Sequence, residues 1–244
     1  MARPPLHILC FGDSLTSGYH GMGQLPSQPY SRVLATVLRA ALPGYAVDVV
    51  ADGAPGDCVT GSGFKSRLRR SCDGRRFDWI VLLAGTNDLA YANEAPDIFD
   101  ALQSCWDMAI ARGAKVLALT VPECQARSKW VDETRRKLND MILAHKQANF
   151  YAFDLFSKIP YHSLEQAERD RFWDDGLHLT PDGYDWMGGH VADELLRILK
   201  PPVNPRAQRL SKDRERDDGA FDEEAGSPYE ISRGYVVVRR KDLD

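Results

Sequence analysis

Apolar residues are spaced along this chain in two alternating ways. Short apolar runs at 8–11, 46–51, 79–84, 115–121 and 150–153 stop at Gly, Pro or clusters of polar residues, which predicts strands. The run Trp79-Ile-Val-Leu-Leu-Ala84 is apolar throughout, as expected of a strand covered on both faces. Between the runs, apolar positions recur at helical spacing: Val33, Leu34, Val37, Leu38 and Ala41, then Ile98, Leu102, Cys105 and Trp106, then Val131, Leu138, Met141 and Ile142. A final helix is predicted from Thr180, where Thr-Pro-Asp supplies an N-cap, a proline and an acid in the favoured order. Tyr184, Met187, Val191, Leu195 and Leu199 form its stripe. Ser27 is the expected cap of the helix containing Val33, with Pro29 in its first turn. A basic helix over 59–71, with Lys65, Arg67, Arg69 and Arg70, reads as a solvated face rather than an anion site.

Strand and helix alternate five times, with connections long enough for crossovers. Right-handed crossovers then give a parallel sheet with helices on both faces. The fold class is therefore α/β: a three-layer α/β/α sandwich with a five-stranded parallel sheet in flavodoxin-like order. Residues 1–200 form this domain. Residues 201–228 are a charged linker expected to be disordered, because they hold too few apolar residues to bury. In the tail, 229–244, the segment Tyr235-Val-Val-Val238 is β-prone and could add a strand to a sheet edge, in its own chain or in a second copy.

Composition narrows the function. At 244 residues the chain is long enough for one substantial core, and a net charge of −4 gives no electrostatic reason to expect nucleic acid. No apolar run approaches the roughly 20 residues of a membrane helix. The N-terminus leads directly into the first strand, without room for a secretory signal, so a cytoplasmic protein is expected. The cysteines, Cys10, Cys58, Cys72, Cys105 and Cys124, lack metal-site spacing. Cys10 and Cys105 read as core. Cys58 and Cys72 flank one predicted helix, so a bond between them is weighed against a default of reduced thiols. No metal or cofactor is expected.

Four polar loops carry the candidate chemistry. His7-Ile-Leu-Cys-Phe-Gly-Asp-Ser-Leu15 runs from a strand into a turn and presents Ser14. Gly56-Asp57, Gly85-Thr-Asn-Asp88 and Asp175-Gly-Leu-His178 are the others. In a parallel sheet, loops that follow strands emerge at one edge, where ligands bind. Acyl transfer needs a nucleophile, a base, a group to orient the base, and donors for the oxyanion. Ser14 fits the nucleophile and His178 the base. Asp175, three positions before His178, fits the orienting carboxylate. The Ser14 N–H, the Gly56 N–H and the Asn87 side-chain amide fit a three-donor oxyanion hole. The long loop from Thr16 to Gln28 reads as a substrate wall. Asp13, Tyr19, His20, Met22, Leu25 and Trp173 are the candidate substrate-facing residues, although Trp173, like Trp130, equally reads as a sugar platform or as core. Asp13 also reads, with Asp57, Asp88 and Asp174, as a turn organiser.

F-G-D-S-L, the glycine of P-G-D, the asparagine of G-T-N-D and the D-x-x-H of D-G-L-H resemble, in order and spacing, the four blocks of the GDSL, or SGNH, hydrolase family. The resemblance covers about residues 6–199 and no block departs from it. It implies the same sandwich fold, Ser14 as nucleophile with Asp175 and His178, and Gly56 and Asn87 as oxyanion donors. It leaves substrate open, since esterases, lysophospholipases, thioesterases and carbohydrate deacetylases share the pattern. The expected reaction is hydrolysis of short-chain carboxylic esters through an acyl-enzyme, on a small-molecule substrate. The alternatives are other acyl substrates on the same machinery, transfer to an alcohol, or a non-catalytic binding protein of the same fold.

Overall fold

The computed structural model describes residues 3–199, in which five strands alternate with helices. In chain order these are β1 (Pro5–Gly12), α1 (Ser14–Ser17), α2 (Ser31–Ala41), β2 (Ala46–Gly53), α3 (Ser62–Asp73), β3 (Trp79–Leu83) and α4 (Thr86–Ala90). They continue with α5 (Ala95–Ala111), β4 (Lys115–Leu119), α6 (Lys129–Ala144), β5 (Phe150–Phe153), α7 (Gln166–Phe172) and α8 (Pro181–Leu199). The strands form one parallel sheet in the order β2-β1-β3-β4-β5. The linker and the Tyr235–Val238 segment, with the oligomer contact expected of it, lie outside the described residues.

Alternation along each strand divides the core in two. Ile8 and Cys10, Trp79, Val81 and Leu83, and Leu117 and Leu119 face one layer, with Leu34 and Leu38 of α2 and Tyr184, Met187, Val191 and Leu195 of α8. Leu9 and Phe11, Ile80 and Leu82, and Val116 and Ala118 face the other, with Phe64, Leu68, Ile98, Leu102, Trp106, Leu138 and Ile142 of α3, α5 and α6. The period of two thus sends successive side chains into opposite layers, and every residue of β3 is buried. Each fully buried Leu, Ile or Phe contributes about 1.5–3 kcal/mol of transfer free energy. The strands are therefore rigid supports for the loops at their ends.

The helix ends differ from expectation in physically readable ways. Ser27 does not cap α2, which starts at Ser31 after Tyr30, with no side-chain cap. Gln28 N–H bonds instead to Gly18 O and closes the 18–28 loop, while the Tyr30 ring is drawn into the core. Helices α4 and α7 were not legible. The first is a single short turn, and the second, Gln-Ala-Glu-Arg-Asp-Arg-Phe, has no buried residue and hence no stripe. Thr180 does cap α8, its Oγ1 accepting from Gly183 N–H at 3.1 Å. Cys10 and Cys105 are core, and all five cysteines, Cys58 and Cys72 included, are free thiols. Among the described residues, no helix is long and apolar enough to cross a membrane.

Candidate active site

Strand β1 lies between β2 and β3, and the three end in register: Gly12 pairs with Gly53 on one side and with Leu83 on the other. This is the switch point of the sheet, where the chain leaves β1 for opposite directions and a crevice opens. Ser14 follows β1, Gly56 follows β2 and Asn87 follows β3. Their neighbourhood is a direct consequence of strand order.

Asp13 caps α1, its Oδ1 accepting from Leu15 N–H at 3.0 Å, and Ser14 is the first helical residue. Opening a helix leaves the Ser14 N–H without an intrahelical acceptor. Gly56 adopts a left-handed conformation (φ 78°) with nothing within 4 Å of where a Cβ would sit. Its N–H donates to no group among the described residues. Asn87 donates from Nδ2 to Asp57 O at 2.9 Å, which ties α4 to the residue after Gly56 and leaves one amide hydrogen over. The buried Asp88 holds the same loop further on, accepting from Val59 N–H, Thr60 N–H and Thr60 Oγ1 at 3.0, 3.0 and 2.7 Å.

The fourth loop brings His178 across. Its Nε2 is 2.9 Å from Ser14 Oγ, and its Nδ1 is 2.7 Å from Asp175 Oδ2. Asp175 Oδ1 accepts from the backbone N–H groups of Leu177 and His178 at 3.0 and 2.8 Å, which fixes the carboxylate. Partial burial pushes this carboxyl up, but the bonds from the His178 ring and the two N–H groups outweigh it and hold it below the ordinary range. A carboxylate ionised at neutral pH on Nδ1 places the ring proton there and leaves Nε2 free to accept from the Ser14 hydroxyl. Such a row can take a proton from Ser14 and return it to a leaving group.

The loop itself is clamped. Trp173 and Leu179 form a bridge, Asp174 N–H bonds to His178 O, and Gln125 N–H donates to Gly176 O at 2.6 Å. Gly176 sits at φ 78°, and a Cβ there would stand 2.4 Å from Gln125 Oε1.

The six candidate substrate-facing residues divide. Tyr19 stays at the site, its ring centroid 4.7 Å from that of His178, while the Tyr184 hydroxyl holds Tyr19 O at 2.7 Å. Met22 and Leu25 are exposed, at 74% and 57%, on the loop that Asp174 Oδ2 tethers by accepting from Gly21 N–H at 2.7 Å. The other three are buried. Asp13 is fully buried as a cap, and burial, with Asp88 and Asp57 adding to it against the Leu15 N–H, pushes its carboxyl up to about 7. His20 is buried and bonds from Nε2 to Pro26 O at 3.0 Å. Trp173 is buried against Tyr161, its Nε1–H donating to Pro160 O at 3.1 Å, so the ring supports the Asp175–His178 loop from below.

Sequence reasoning missed two anchors, Gln125 and Arg67. Neither carries a local signal, because their partners lie far away in the chain. Arg67 also corrects the reading of the basic helix: its side chain is 16% exposed and ion-paired with Asp52 and Asp57, so it is no part of a solvated face. Cys58, in the same loop as Gly56, is a poor competing nucleophile, since burial followed by Asp88, Asp57 and Asp13 pushes its thiol up to about 11. Among the described residues, no group of three or more His, Cys, Asp or Glu could hold a metal ion.

Comparison with known proteins agrees with this architecture. Residues 10–186 match the family model described as the GDSL-like lipase/acylhydrolase family. An arylesterase of Vibrio mimicus is 26% identical over 195 residues, covering 79% of this chain and 89% of the relative. The native M. smegmatis aryl esterase superposes with a TM-score of 0.61 at 20% identity, over 78% of this chain and 98% of that one. A carbohydrate acetylesterase from Sinorhizobium meliloti gives 0.61 at 18% identity, over 79% and 99%. With a family match spanning well over half its length, on the sheet that family folds into, the chain belongs to the GDSL-like lipase/acylhydrolase family and is a carboxylic ester hydrolase.

Proposed function

We propose that the protein hydrolyses short-chain carboxylic esters, aryl esters among them, through an acyl-enzyme on Ser14. The observation that carries this reading is the bonded row from Ser14 Oγ through His178 to Asp175, at 2.9 and 2.7 Å. His178 removes the Ser14 proton as Oγ attacks the ester carbonyl. The oxyanion is received by the Ser14 N–H, the Gly56 N–H and the spare Asn87 amide hydrogen, preorganised donors that need no reorientation as charge develops. The tetrahedral intermediate collapses as His178 protonates the leaving alkoxide. Water then attacks the acyl-enzyme by the same route, with Asp175 stabilising the imidazolium each time it forms. Asp13 takes no part, being buried as the cap of α1, and Cys58 takes none because its thiol is pushed up to about 11.

Acyl length is argued from the walls. The 18–28 loop offers only Met22 and Leu25 as apolar contacts, and both are exposed rather than folded over the site. Such a surface covers a few methylenes, each worth about 0.8 kcal/mol when buried. The test is hydrolysis of p-nitrophenyl esters from acetyl to palmitoyl by wild type and Ser14→Ala. Turnover should peak between acetyl and hexanoyl and fall at least about 10⁴-fold in the variant. Equal or faster cleavage of palmitoyl esters would overturn the chain-length assignment, and wild-type rates in Ser14→Ala would overturn the mechanism.

A further inference from the structure

Arg67 is bonded more completely than any helix-surface charge has reason to be. Its guanidinium offers five N–H donors. Nη1 donates to Asp52 O and Asp52 Oδ1 at 2.8 and 2.5 Å. Nη2 donates to Gly12 O and Asp57 Oδ2 at 2.6 and 3.0 Å, and Nε to Asp57 Oδ2 at 3.2 Å. All five donors are used. The guanidinium carbon also stands 4.0 Å from the centroid of the Phe11 ring, so one face is stacked as well.

What these acceptors share is position. Gly12 is the last residue of β1, two before Ser14. Asp52 lies at the end of β2. Asp57 follows Gly56 directly, and its carbonyl is the group to which Asn87 donates. Ala54 N–H adds a bond to Gly12 O at 3.1 Å, joining the β1 and β2 ends at the same spot. One cation therefore touches, within two residues or one hydrogen bond, the chain around every donor assigned above to the oxyanion.

We propose that Arg67 is a positioning residue that sets the spacing of the Ser14, Gly56 and Asn87 donors. The inference rests on the esterase reading above and deepens it. Arg67 does not meet substrate. It acts through Gly12 O and Asp57, and it does so with a planar fork that lysine, a single ammonium with three donors, cannot reproduce. Donors displaced by part of an ångström lose the developing oxyanion more than the planar ground-state ester, so the damage falls on kcat.

The experiment compares wild type, Arg67→Lys and Asp57→Asn on p-nitrophenyl acetate, with rates expressed per site titrated by an organophosphate. It adds the affinity of a boronic acid, which forms a tetrahedral adduct on a serine hydroxyl. Arg67→Lys should lower kcat per titrated site about 10- to 100-fold, leave KM within about threefold, and weaken the boronate by a similar factor. Asp57→Asn keeps the backbone bond to Asn87 and should show a smaller loss of the same pattern. The double variant should be no worse than Arg67→Lys alone, because both cut one link. Unchanged kcat per titrated site in both single variants would overturn the positioning role, even if fewer sites titrate or the melting temperature falls, since that is all a purely structural residue would cause. A change confined to KM would overturn it too. A wild type without Ser14-dependent turnover would instead overturn the esterase reading and this inference with it.

Discussion

The two sides of the candidate site are built differently. On one side are the ends of β1, β2 and β3, where buried and half-buried polar groups bond the loops to one another: Asp88 with three bonds, Asn87 with its bond to Asp57, and Arg67 with five. On the other are the Asp175–His178 loop and the 18–28 loop, joined by the Asp174–Gly21 bond and the Tyr19–His178 ring contact and carrying exposed Met22 and Leu25. The first side rests on paired strands and cannot shift without breaking several bonds. The second lies nearer the surface and is held by local bonds: the Asp175–His178 pair, the Trp173–Leu179 bridge, the Gln125–Gly176 clamp and the Tyr184 hydroxyl on Tyr19 O. On the proposed reading such a site separates tasks: the oxyanion donors are preorganised on the strand ends, while the exposed 18–28 loop meets the variable parts of a substrate.

The comparison can be broken first at its rigid side. Asn87→Ala removes one proposed oxyanion donor and should lower kcat by about 10²–10³ with little change in KM. It also removes the bond to Asp57, so a melting curve should accompany the kinetics and show no more than a small loss. A drop confined to KM would move Asn87 from the oxyanion to ground-state binding.

On the surface side the weak point is Gly176. Gly176→Ala is strained by its positive φ, at about 1–2 kcal/mol, and meets Gln125. The loop should shift and kcat fall about tenfold or more. Adding Gln125→Ala should recover part of the activity by relieving the collision, but none of the strain. No recovery would show that the backbone conformation alone sets the His178 position.

Titration sharpens the contrast. Asp13, in the rigid side, has a carboxyl raised to about 7, so its native state favours the protonated form. That stabilisation is complete below the unfolded value near 4 and is lost as pH rises through about 7, with a slope of up to about 1.4 kcal/mol per pH unit between them. Asp13→Asn keeps an acceptor for Leu15 N–H and has no such slope. Its melting temperature should therefore gain on wild type between about pH 4 and pH 7 and level off above that. Parallel curves would deny the buried charge. Asp175 behaves in the opposite sense: its contribution is present above the ordinary carboxylate range and lost as pH falls through its lowered value.

The smallest effects belong to Met22 and Leu25. Alanine at either should leave stability within about 0.5 kcal/mol and acetyl turnover nearly unchanged. Butyryl and hexanoyl esters should lose a few-fold in kcat/KM if these side chains meet the acyl chain. A uniform loss across all esters would place them elsewhere.

How far the sequence reveals this site follows from the range of the forces involved. The strands and the long helices were legible because burial imposes periods of two and 3.6 on neighbouring residues. That the loops bearing Ser14, Gly56, Asn87 and His178 would come together was legible because distinctive polar residues stand at the ends of predicted strands and before the last helix. Trp173 and Arg67 were not. A tryptophan beside a polar loop can face inward or outward with the same local sequence. Arg67 sits in a row of basic residues on an amphipathic helix, which reads as solvated until Gly12, 55 positions away, is brought beneath it. Partners across the switch point depend on strand order, which no local window contains.

The central claim is that Ser14, activated by His178, is the nucleophile. Its most direct test is stoichiometric labelling with an organophosphate, followed by peptide mapping and residual hydrolysis of p-nitrophenyl acetate. The account predicts one label per chain, on Ser14, activity lost in proportion, and labelling nearly abolished in His178→Ala. A label on another residue, or turnover that survives full modification of Ser14, would contradict it.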